Sequence, residues 1–476
     1  MIDSIDSTRH GDLIREAALR AAAYIESRSA RAVFPTDEAI AALDGFAADL
    51  ADDPVDPLTI LDQLDRLGSP ATVVNTAGRY FGFVTGGTEP AAAAASVLTG
   101  TWDQNIALPV MSPVAAHLDA LAARWVVDLL GLPATSLVSF CGGASIANLS
   151  GLLAGRDALL HRMHWNVDEL GLTGAPTLRV VASAEAHVSV FKALRAIGIG
   201  KVNIELAPTD HAGRIDVAQL PRLDERTLVV LQAGNVNTGH SDPFDDIIPL
   251  AHDTGAWVHI DGAFGLWAAA SPRRRSQVFG VAGADSWATD AHKWLNAPYD
   301  SGLVIFARAD DARRAFAVDA TYLATDSDRA LMHLGLQMSQ RARGIEAWAA
   351  IAARGRSGMA DLVDASCDHA ARLADLLTAG GVEILAPVVL NQVLVSFGDD
   401  ATTDAIIDAV QRDGTCWAGG TTWHGRRAMR LSVSDRATTT SDIAASAAAI
   451  LRCRDTIREY RYSAARNSAG LAVPLP

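Results

Sequence analysis

The spacing of apolar and polar residues changes near residue 130 and again near residue 340. Up to about residue 70, runs such as AALRAAAYI place apolar residues three and four apart, which indicates amphipathic helices. From about 130 to 310, short β-branched runs such as TLRVVAS, TLVVLQAG and SGLVIFAR alternate with helical stretches. After about 340, long helical patterns precede VEILAPVVL, NQVLVSF and MRLSVS, which predict strands, and an Ala-rich segment predicts a final helix.

The alternation of strands and helices in the middle of the chain predicts the fold class. Apolar strands separated by helices form βαβ units, and such units build a mostly parallel sheet covered on both faces. In one unit, Asp242 is predicted as the N-cap of a helix that begins at Pro243. We therefore expect an α/β protein with a helical segment over 1–75, a large domain over 76–340 and a smaller α+β domain over 341–476.

Composition and charge exclude several classes of function. Of the 476 residues, 49% are apolar and 20% are charged, which is typical of a folded globular protein. A net charge of −15 repels nucleic acids and anionic lipids, so neither is expected as a partner. The first residues, MIDSIDSTRHGDL, lack a secretory pattern, and no apolar run is long enough for a membrane span. Four cysteines without C-x-x-C spacing suit a cytoplasmic protein.

Candidate chemical groups follow the predicted strands. The strand AWVHI ends in Asp261, at the edge of the sheet where ligands of open α/β folds bind, although an acid there can also cap the next helix. His292 and Lys293 follow the strand of DSWATD, and a lysine there can act as a base or form a Schiff base. Such a pair is also common on solvated surfaces. His187 lies between a strand and a helix, where an imidazole can stack on a ring or cap the helix.

A glycine-rich turn precedes another predicted helix. In FCGGASIANLSGLLAGRD, Gly143, Ala144 and Ser145 lead into the helix, and backbone N–H groups at a helix N-terminus bind phosphate. Phosphate-binding amides, a stacking imidazole, a carboxylate and a lysine are together what pyridoxal phosphate requires. These features predict that cofactor.

A series of motifs then identifies a family. RYFGFVTGG, WDQNIALPVMSP, GGASIANL, AHVSVFKA, QAGNVNTG, HIDGAFG and DSWATDAHKWLN occur in this order. With them, the chain resembles the group II pyridoxal-phosphate-dependent amino-acid decarboxylases, the family of the aromatic-L-amino-acid and glutamate decarboxylases. The resemblance implies the fold-type-I, aspartate aminotransferase-like architecture. It also implies a homodimer with the active site at the interface, clasped by the N-terminal helices, and a small amino-acid substrate.

The resemblance implies a role for each matching residue. Lys293 holds the cofactor covalently, Asp261 pairs with the pyridinium nitrogen, and His187 and Ala263 cover the two faces of the ring. His292 is implied to lie near the phosphate and the substrate carboxylate. Further cofactor contacts are implied for Gly143, Ala144, Ser145, Asn235 and, from the partner subunit, Gly355. Tyr80 and Phe81 are implied to lie at the mouth for the substrate.

The chain also departs from the family pattern. Relatives carry a loop tyrosine that returns a proton to Cα, whereas this chain has Leu331 near that position. Tyr322 and His333 are then the proton carriers in the same stretch. A carbanion that is not protonated can react with dioxygen to give an aldehyde and ammonia, or can expel a group from Cβ. Asp290 replaces a neutral polar residue of some relatives, and an anion there repels phosphate unless it points away.

These observations lead to one predicted function with alternatives. We expect a lyase that decarboxylates an L-amino acid or an amino-acid-like conjugate at Cα. Oxidative deamination coupled to decarboxylation, Cβ elimination and an inactive cofactor-binding paralogue are the alternatives. His161 and His164 share a helix face but have no suitably spaced third ligand, so no metal site is predicted.

Overall fold

The computed structural model describes residues 7–46, 49–317 and 330–468. The strands are β1 (Leu137–Cys141), β2 (Arg179–Ser183), β3 (Ile204–Ala207), β4 (Thr227–Gln232), β5 (Trp257–Asp261), β6 (Ser286–Asp290), β7 (Gly302–Phe306), β8 (Glu383–Ile384), β9 (Gln392–Ser396), β10 (Gly419–Trp423) and β11 (Arg426–Ser432). The helices are α1 (Ser7–Ser27), α2 (Asp37–Ala41), α3 (Pro57–Gln63), α4 (Pro90–Trp102), α5 (Pro113–Leu129), α6 (Ala144–Arg162), α7 (Val167–Leu170), α8 (Val188–Ala196), α9 (Phe244–Asp253), α10 (Ala309–Phe316), α11 (Arg343–Ala379), α12 (Asp400–Asp413) and α13 (Thr440–Ser468).

A large mixed sheet forms the centre of the protein. Within the described residues it has seven strands in the order β1-β7-β6-β5-β4-β2-β3. The five neighbouring strands β3, β2, β4, β5 and β6 run parallel to one another. Strand β7 is antiparallel to both of its neighbours, β1 and β6. Every residue of β4 to β7 is buried, as expected for a sheet covered on both faces. The predicted α/β class with a mostly parallel sheet is confirmed.

The long helix α6 packs close against the centre of this sheet. A Cβ added at Gly151 would lie 2.4 Å from a ring carbon of His259, and one at Gly155 would lie 2.7 Å from the ring of Trp257. Larger side chains at these two positions would push the helix away from β5. The glycines therefore allow the close approach that brings the N-terminus of α6 to the carboxyl edge of the sheet.

A second, antiparallel sheet lies in the C-terminal region, as the sequence predicts. Its order is β10-β11-β9-β8 in the described part of the chain, and it packs with α12 and α13 around a separate apolar cluster. The predicted strand VEILAPVVL is shorter than expected, because only Glu383 and Ile384 pair with β9. Pro387 interrupts the segment and has no N–H to donate to a ladder. The predicted domain limits at 76 and 341 stay predictions.

The structure corrects the predicted start of α9. The helix begins at Phe244, and Asp242 does not cap it. The Asp242 carboxylate instead accepts hydrogen bonds from the backbone N–H groups of Ile215 at 2.8 Å and Gln232 at 2.7 Å. The carboxylate thus joins the segment around Ile215 to the end of β4, and burial raises the pKa of Asp242 to about 6.

No helix in the described ranges combines the length and the apolar character needed to cross a membrane.

Candidate active site

A cavity of about 550 Å³ opens at the carboxyl edge of the parallel strands. Its walls come from the segments that follow β1, β4, β5 and β6 and from the N-terminus of α6. The loop 83–85 and two residues of the second sheet, Thr421 and Arg430, close the remaining side. Parallel strands place their carboxyl ends at one edge, so groups far apart in sequence meet here.

Lys293 and Asp261 both line this cavity. Lys293 lies in the turn after β6, and its Nζ is 2.9 Å from Oδ2 of Asp290. Asp261 is the last residue of β5 and is buried. Burial raises the pKa of Asp261, while the nearby His187 and Lys293 and a hydrogen bond from Asn148 act in the opposite direction. The site therefore holds a carboxylate whose charged form depends on neighbouring cations and donors.

The sequence analysis did not single out Asn148, which positions this carboxylate. Asn148 lies one turn into α6 and is fully buried. Its Oδ1 is 2.9 Å from Nε2 of His259, and the other ring nitrogen of His259 is 2.8 Å from the Ser286 hydroxyl. Burial lowers the pKa of His259 to about 3, so this imidazole is neutral. A neutral imidazole that donates to Oδ1 turns the amide NH2 group of Asn148 toward Asp261.

His187 lines the cavity and caps a helix at the same time. It is the N-cap of α8, where its Nδ1 accepts from the Ser189 N–H at 3.3 Å and lies 2.8 Å from the Ser189 hydroxyl. That hydroxyl also accepts from Nδ2 of Asn148 at 3.4 Å. The two roles that the sequence left open are therefore compatible, because the cap fixes the orientation of the ring. Ala263 lies on the cavity wall as well.

The turn before α6 forms the end of the cavity. Gly142, Gly143, Ala144 and Ser145 line it. Gly143 has a φ of 122°, and a Cβ there would lie 3.3 Å from the ring of His292. This glycine is required both for its backbone conformation and for the close approach.

His292 is held by contacts on both sides. Its Nδ1 accepts from the Ser301 N–H at 3.2 Å, and its ring stacks on Tyr299 with a centroid distance of 4.3 Å. Burial lowers the pKa of His292, which favours the neutral ring. Tyr299 lines the cavity, and its hydroxyl is hydrogen-bonded to Thr85. No sequence pattern had marked Tyr299.

Neither of the two aromatic residues predicted at the mouth, Tyr80 and Phe81, lines the cavity. Phe81 is buried in the apolar cluster of the second sheet, because its backbone bonds to Trp417 and Ser432 on that side. Phe83 lines the cavity instead, with 64% of its surface exposed. Tyr80 stacks on Trp417 at 5.2 Å, next to the cavity, and burial raises the pKa of Tyr80 to about 12.

Two of the predicted cofactor contacts lie outside the cavity of their own chain. The side chain of Asn235 accepts from the N–H groups of Asn237 and Thr238, so it stabilises a turn behind the wall. Gly355 interrupts α11 with a φ of 62°, and nothing lies within 4 Å of a Cβ placed there. Its predicted approach to a partner subunit stays a prediction.

Of the predicted proton carriers, the structure describes only His333. Leu331 is buried against Ile106 and Ala115, and His333 follows it in the same short helical turn. His333 does not line the cavity of its own chain. Tyr322 lies outside the described residues. The role predicted for either residue is therefore still a prediction.

The cavity wall contains a partly buried cation that the sequence analysis missed. Arg430 comes from β11, far along the chain, and donates to the carbonyl oxygen of Val236 at 3.2 Å. Burial lowers the pKa of Arg430 to about 10. Among the described residues it forms no ion pair, so it can accept an anion from a ligand. No cluster of three or more potential metal ligands occurs within the described ranges.

Comparisons with known proteins identify related chains. The family model described as the pyridoxal-dependent decarboxylase conserved domain matches residues 46–398. An aromatic-L-amino-acid decarboxylase of Bacillus atrophaeus is 28% identical over 61% of this chain and 62% of its own length. A phenylacetaldehyde synthase of Petunia hybrida is 26% identical over 58% of each chain. The match thus spans less than two thirds of these curated relatives.

Solved structures share the fold over almost the whole chain. Oryza sativa TDC, crystallised with PLP and tryptamine, has a TM-score of 0.86 at 20% identity and covers 96% of this chain and 99% of its own. Mouse CSAD has a TM-score of 0.85 at 19% identity, over 94% and 99% of the two chains. At these identities the similarity establishes the fold alone.

Proposed function

The chain belongs to the pyridoxal-dependent decarboxylase family, and on this premise we propose that it is an enzyme that releases the α-carboxyl group of an amino acid as carbon dioxide. Its cofactor is pyridoxal 5′-phosphate. The observation that carries the proposal is that Lys293 and Asp261 line one cavity, together with the N-terminus of α6. A protein without catalytic function has no need for both groups at one site.

The residues present fit this cofactor. The glycine turn before α6 leaves a narrow space that a side chain at Gly143 would fill, and backbone N–H groups line it. Amides at the start of a helix stabilise a phosphate group. When bound, the cofactor bonds to an amine through its aldehyde and draws the electrons of a broken Cα bond into its ring.

Each lining residue has a distinct part in this chemistry. Lys293 would supply the amine that holds the cofactor. Asp261 would hold a proton on the ring nitrogen, because a nearby carboxylate favours the charged form of that nitrogen. Asn148 would keep Asp261 in place, and His187 and Ala263 would exclude water from the two faces of the ring. Exclusion of water strengthens the contact with the carboxylate.

The unpaired guanidinium of Arg430 supports binding of a carboxylate. Arg430 is partly buried and lines the cavity, so a carboxylate of the substrate could replace the solvent around it. A charge-assisted hydrogen bond of this kind contributes about 1.5–3 kcal/mol. Phe83 lines the cavity and stacks on Trp417, which in turn stacks on Tyr80, and this aromatic wall favours a substrate with a flat apolar side chain.

The source of the proton for Cα distinguishes the proposed reaction from its closest alternative. Tyr299 provides a hydroxyl on the cavity wall, whereas Leu331 is packed into an apolar cluster. If Tyr299, Tyr322 or His333 returns the proton, the product is an amine. If none of them does, dioxygen removes the electrons and the products are an aldehyde, ammonia and hydrogen peroxide. The phenylacetaldehyde synthase among the relatives makes this second outcome a specific candidate.

The experiment that tests the proposal follows all products at once. Purified holoenzyme is incubated with aromatic and acidic L-amino acids, and carbon dioxide, amine, ammonia and hydrogen peroxide are measured. Equal amounts of carbon dioxide and amine from an aromatic substrate are expected. Carbon dioxide with ammonia and peroxide would indicate the oxidative reaction, and ammonia without carbon dioxide would indicate elimination at Cβ. Bound cofactor without any product would contradict an enzymatic function.

A matched variant controls this assay. Lys293→Ala removes the amine and is expected to abolish both product formation and the visible absorbance of the lysine-bound cofactor. A variant that keeps this absorbance after dialysis would contradict the role of Lys293. Comparing Tyr299→Phe, Tyr322→Phe and His333→Gln then identifies the proton donor, because only loss of the true donor shifts the products from amine to aldehyde.

We propose further that the protein is a cytoplasmic homodimer. Apolar side chains are exposed on α1 and α4, including Leu19, Ile25, Val97 and Leu98, and a second copy of the chain would cover such faces. The four cysteines are buried and unpaired, which suits a reducing compartment. Light scattering of the purified protein and fractionation of cells test these two points, and a monomer would contradict the first.

A further inference from the structure

A buried carboxylate occupies the end of the cavity where the cofactor phosphate is expected. Asp290 is the last residue of β6, and only 2% of its side chain is exposed. Its Oδ1 accepts from the Ala144 N–H at 2.5 Å, and its Oδ2 lies 2.9 Å from Nζ of Lys293. The carboxylate therefore uses the same helix N-terminus that is proposed for the phosphate.

Backbone hydrogen bonds hold Asp290 beside the glycine turn. Its N–H donates to the carbonyl oxygen of Ala263 at 3.0 Å, and its own carbonyl oxygen accepts from Nε1 of Trp267 at 3.0 Å. A Cβ at Gly302 would lie 2.9 Å from Oδ1, and one at Gly143 would lie 3.5 Å from it. The main chain of Asp290 is thus fixed, and its carboxylate lies close to both glycines.

The charges around Asp290 do not compensate for a second anion. The titratable groups that face it from its own turn and from the segments packed against it are Lys293, His292, His187, Cys141 and Tyr299. Of these, Lys293 makes the closest contact, and the cofactor takes this amine. Nε2 of His292 is 3.7 Å from Oδ2, but burial favours the neutral form of that ring. No arginine pairs with Asp290 in the described part of the chain.

We infer that Asp290 and the cofactor phosphate share one proton, so that loading of the cofactor takes up a proton from solvent. The inference rests on the proposed position of the phosphate at the start of α6. In the free protein, the carboxylate contacts Nζ of Lys293 and the Ala144 N–H. When the phosphate arrives, two anions compete for the same donor, and a proton held between a carboxylate oxygen and a phosphate oxygen removes their repulsion. The proton comes from solvent, and no bond between heavier atoms changes.

Affinity for the cofactor should therefore depend on pH. Uptake of one proton weakens binding tenfold for each unit by which the pH rises, provided that the free carboxylate and the free phosphate are both ionised. The second pKa of a phosphate monoester is about 6, so this condition holds from about pH 7.5 to 9. Asp290→Asn replaces the carboxylate with a neutral side chain of almost the same shape and should remove the part of the dependence that Asp290 causes.

The test uses the full-length protein without cofactor and pyridoxal 5′-phosphate as the probe. This compound bonds to Lys293 and so removes the amine that balances Asp290, and any proton that Lys293 itself releases is common to the wild type and the variant. Titration calorimetry at pH 8 in two buffers with different heats of ionisation gives the number of protons taken up. The expected uptake is higher by about one proton in the wild type than in Asp290→Asn, and between pH 7.5 and 8.5 the affinity of the wild type should fall about tenfold more than that of the variant.

Asp300→Asn is the matched control, because Asp300 is a half-exposed carboxylate that pairs with Arg343. It should keep the wild-type proton uptake. Equal uptake by the wild type and Asp290→Asn would overturn the inference while leaving the proposed function intact. If Asp290→Asn does not fold, wild-type affinity that is constant between pH 7.5 and 9 would overturn it as well. Failure of the wild type to bind the probe would overturn the proposed phosphate site itself.

Discussion

Gly86 lies against the backbone of Lys293, and its replacement by alanine should displace the lysine. A Cβ at position 86 would be 1.8 Å from the carbonyl oxygen of Lys293 and 2.8 Å from the carbonyl carbon. Ordinary contact begins at 3.4 Å, so the two chain segments must separate by about 1.6 Å. Both partners are backbone atoms, and no change of rotamer can relieve the overlap.

The displacement is larger than an active site tolerates. Reacting groups must be held within about 0.5 Å of the productive position, and a misplacement of about 1 Å can reduce a rate about 100-fold. We therefore expect Gly86→Ala to lower kcat/KM at least about 100-fold. The variant should also lose most of the visible absorbance of the lysine-bound cofactor, because the amine no longer meets the aldehyde.

The assay combines absorbance titration with pyridoxal phosphate, product formation and thermal unfolding. Gly200→Ala is the control, since nothing lies within 4 Å of a Cβ at that position and its φ of −77° suits alanine. This variant should match the wild type in all three measurements. A Gly86→Ala protein with wild-type absorbance and kcat/KM would refute the close packing of residue 86 against the lysine.

Three other predictions follow from groups around the cavity. Asp261→Asn should keep bound cofactor but lower kcat at least about 100-fold, since an amide does not stabilise a proton on the ring nitrogen; comparable losses in kcat and in cofactor affinity would contradict this. Arg430→Gln should raise KM about 10- to 150-fold with a smaller change in kcat, whereas Arg426→Gln, which removes an exposed pair with Glu383, should leave KM unchanged. Burial lowers the pKa of His259 to about 3, so acidification from pH 6.5 protonates the unfolded chain first. Urea unfolding should show a loss of stability of up to about 1.4 kcal/mol per pH unit, and His259→Gln should remove this contribution; an unchanged slope in the variant would exclude His259 as its source.

Much of the fold follows from local patterns. The alternation of β-branched runs with helical stretches predicted the parallel strands, and the structure confirms β2 to β6 in that arrangement. The position of Asp261 at the end of a strand and of Lys293 after another was sufficient to predict that both reach one edge of the sheet. Two of the predictions were wrong in detail. Pro387 shortens β8, and the carboxylate of Asp242 bonds to two amides distant in sequence instead of capping α9.

The sequence predicted the details of the site less well than the fold. Phe83 lines the cavity instead of Phe81, because the backbone of Phe81 bonds to the second sheet and turns its side chain into that core. The stacking of Tyr299 on His292 and the position of Arg430, which reaches the cavity from β11, depend on how separate segments pack. No spacing rule relates residues of such different segments.

The sequence by itself determined the spacing of apolar residues in each helix and strand, the family motifs and the residue types at the carboxyl edge of the sheet. These features depend on neighbours only a few positions away. Only the tertiary structure decided which side chains share the cavity. It turned Asn148 toward Asp261 through the neutral ring of His259, and it enclosed the carboxylate of Asp290 beside the start of α6. The physical reason is that hydrogen bonding and ionisation respond to distance and burial in space, which the order of residues does not specify.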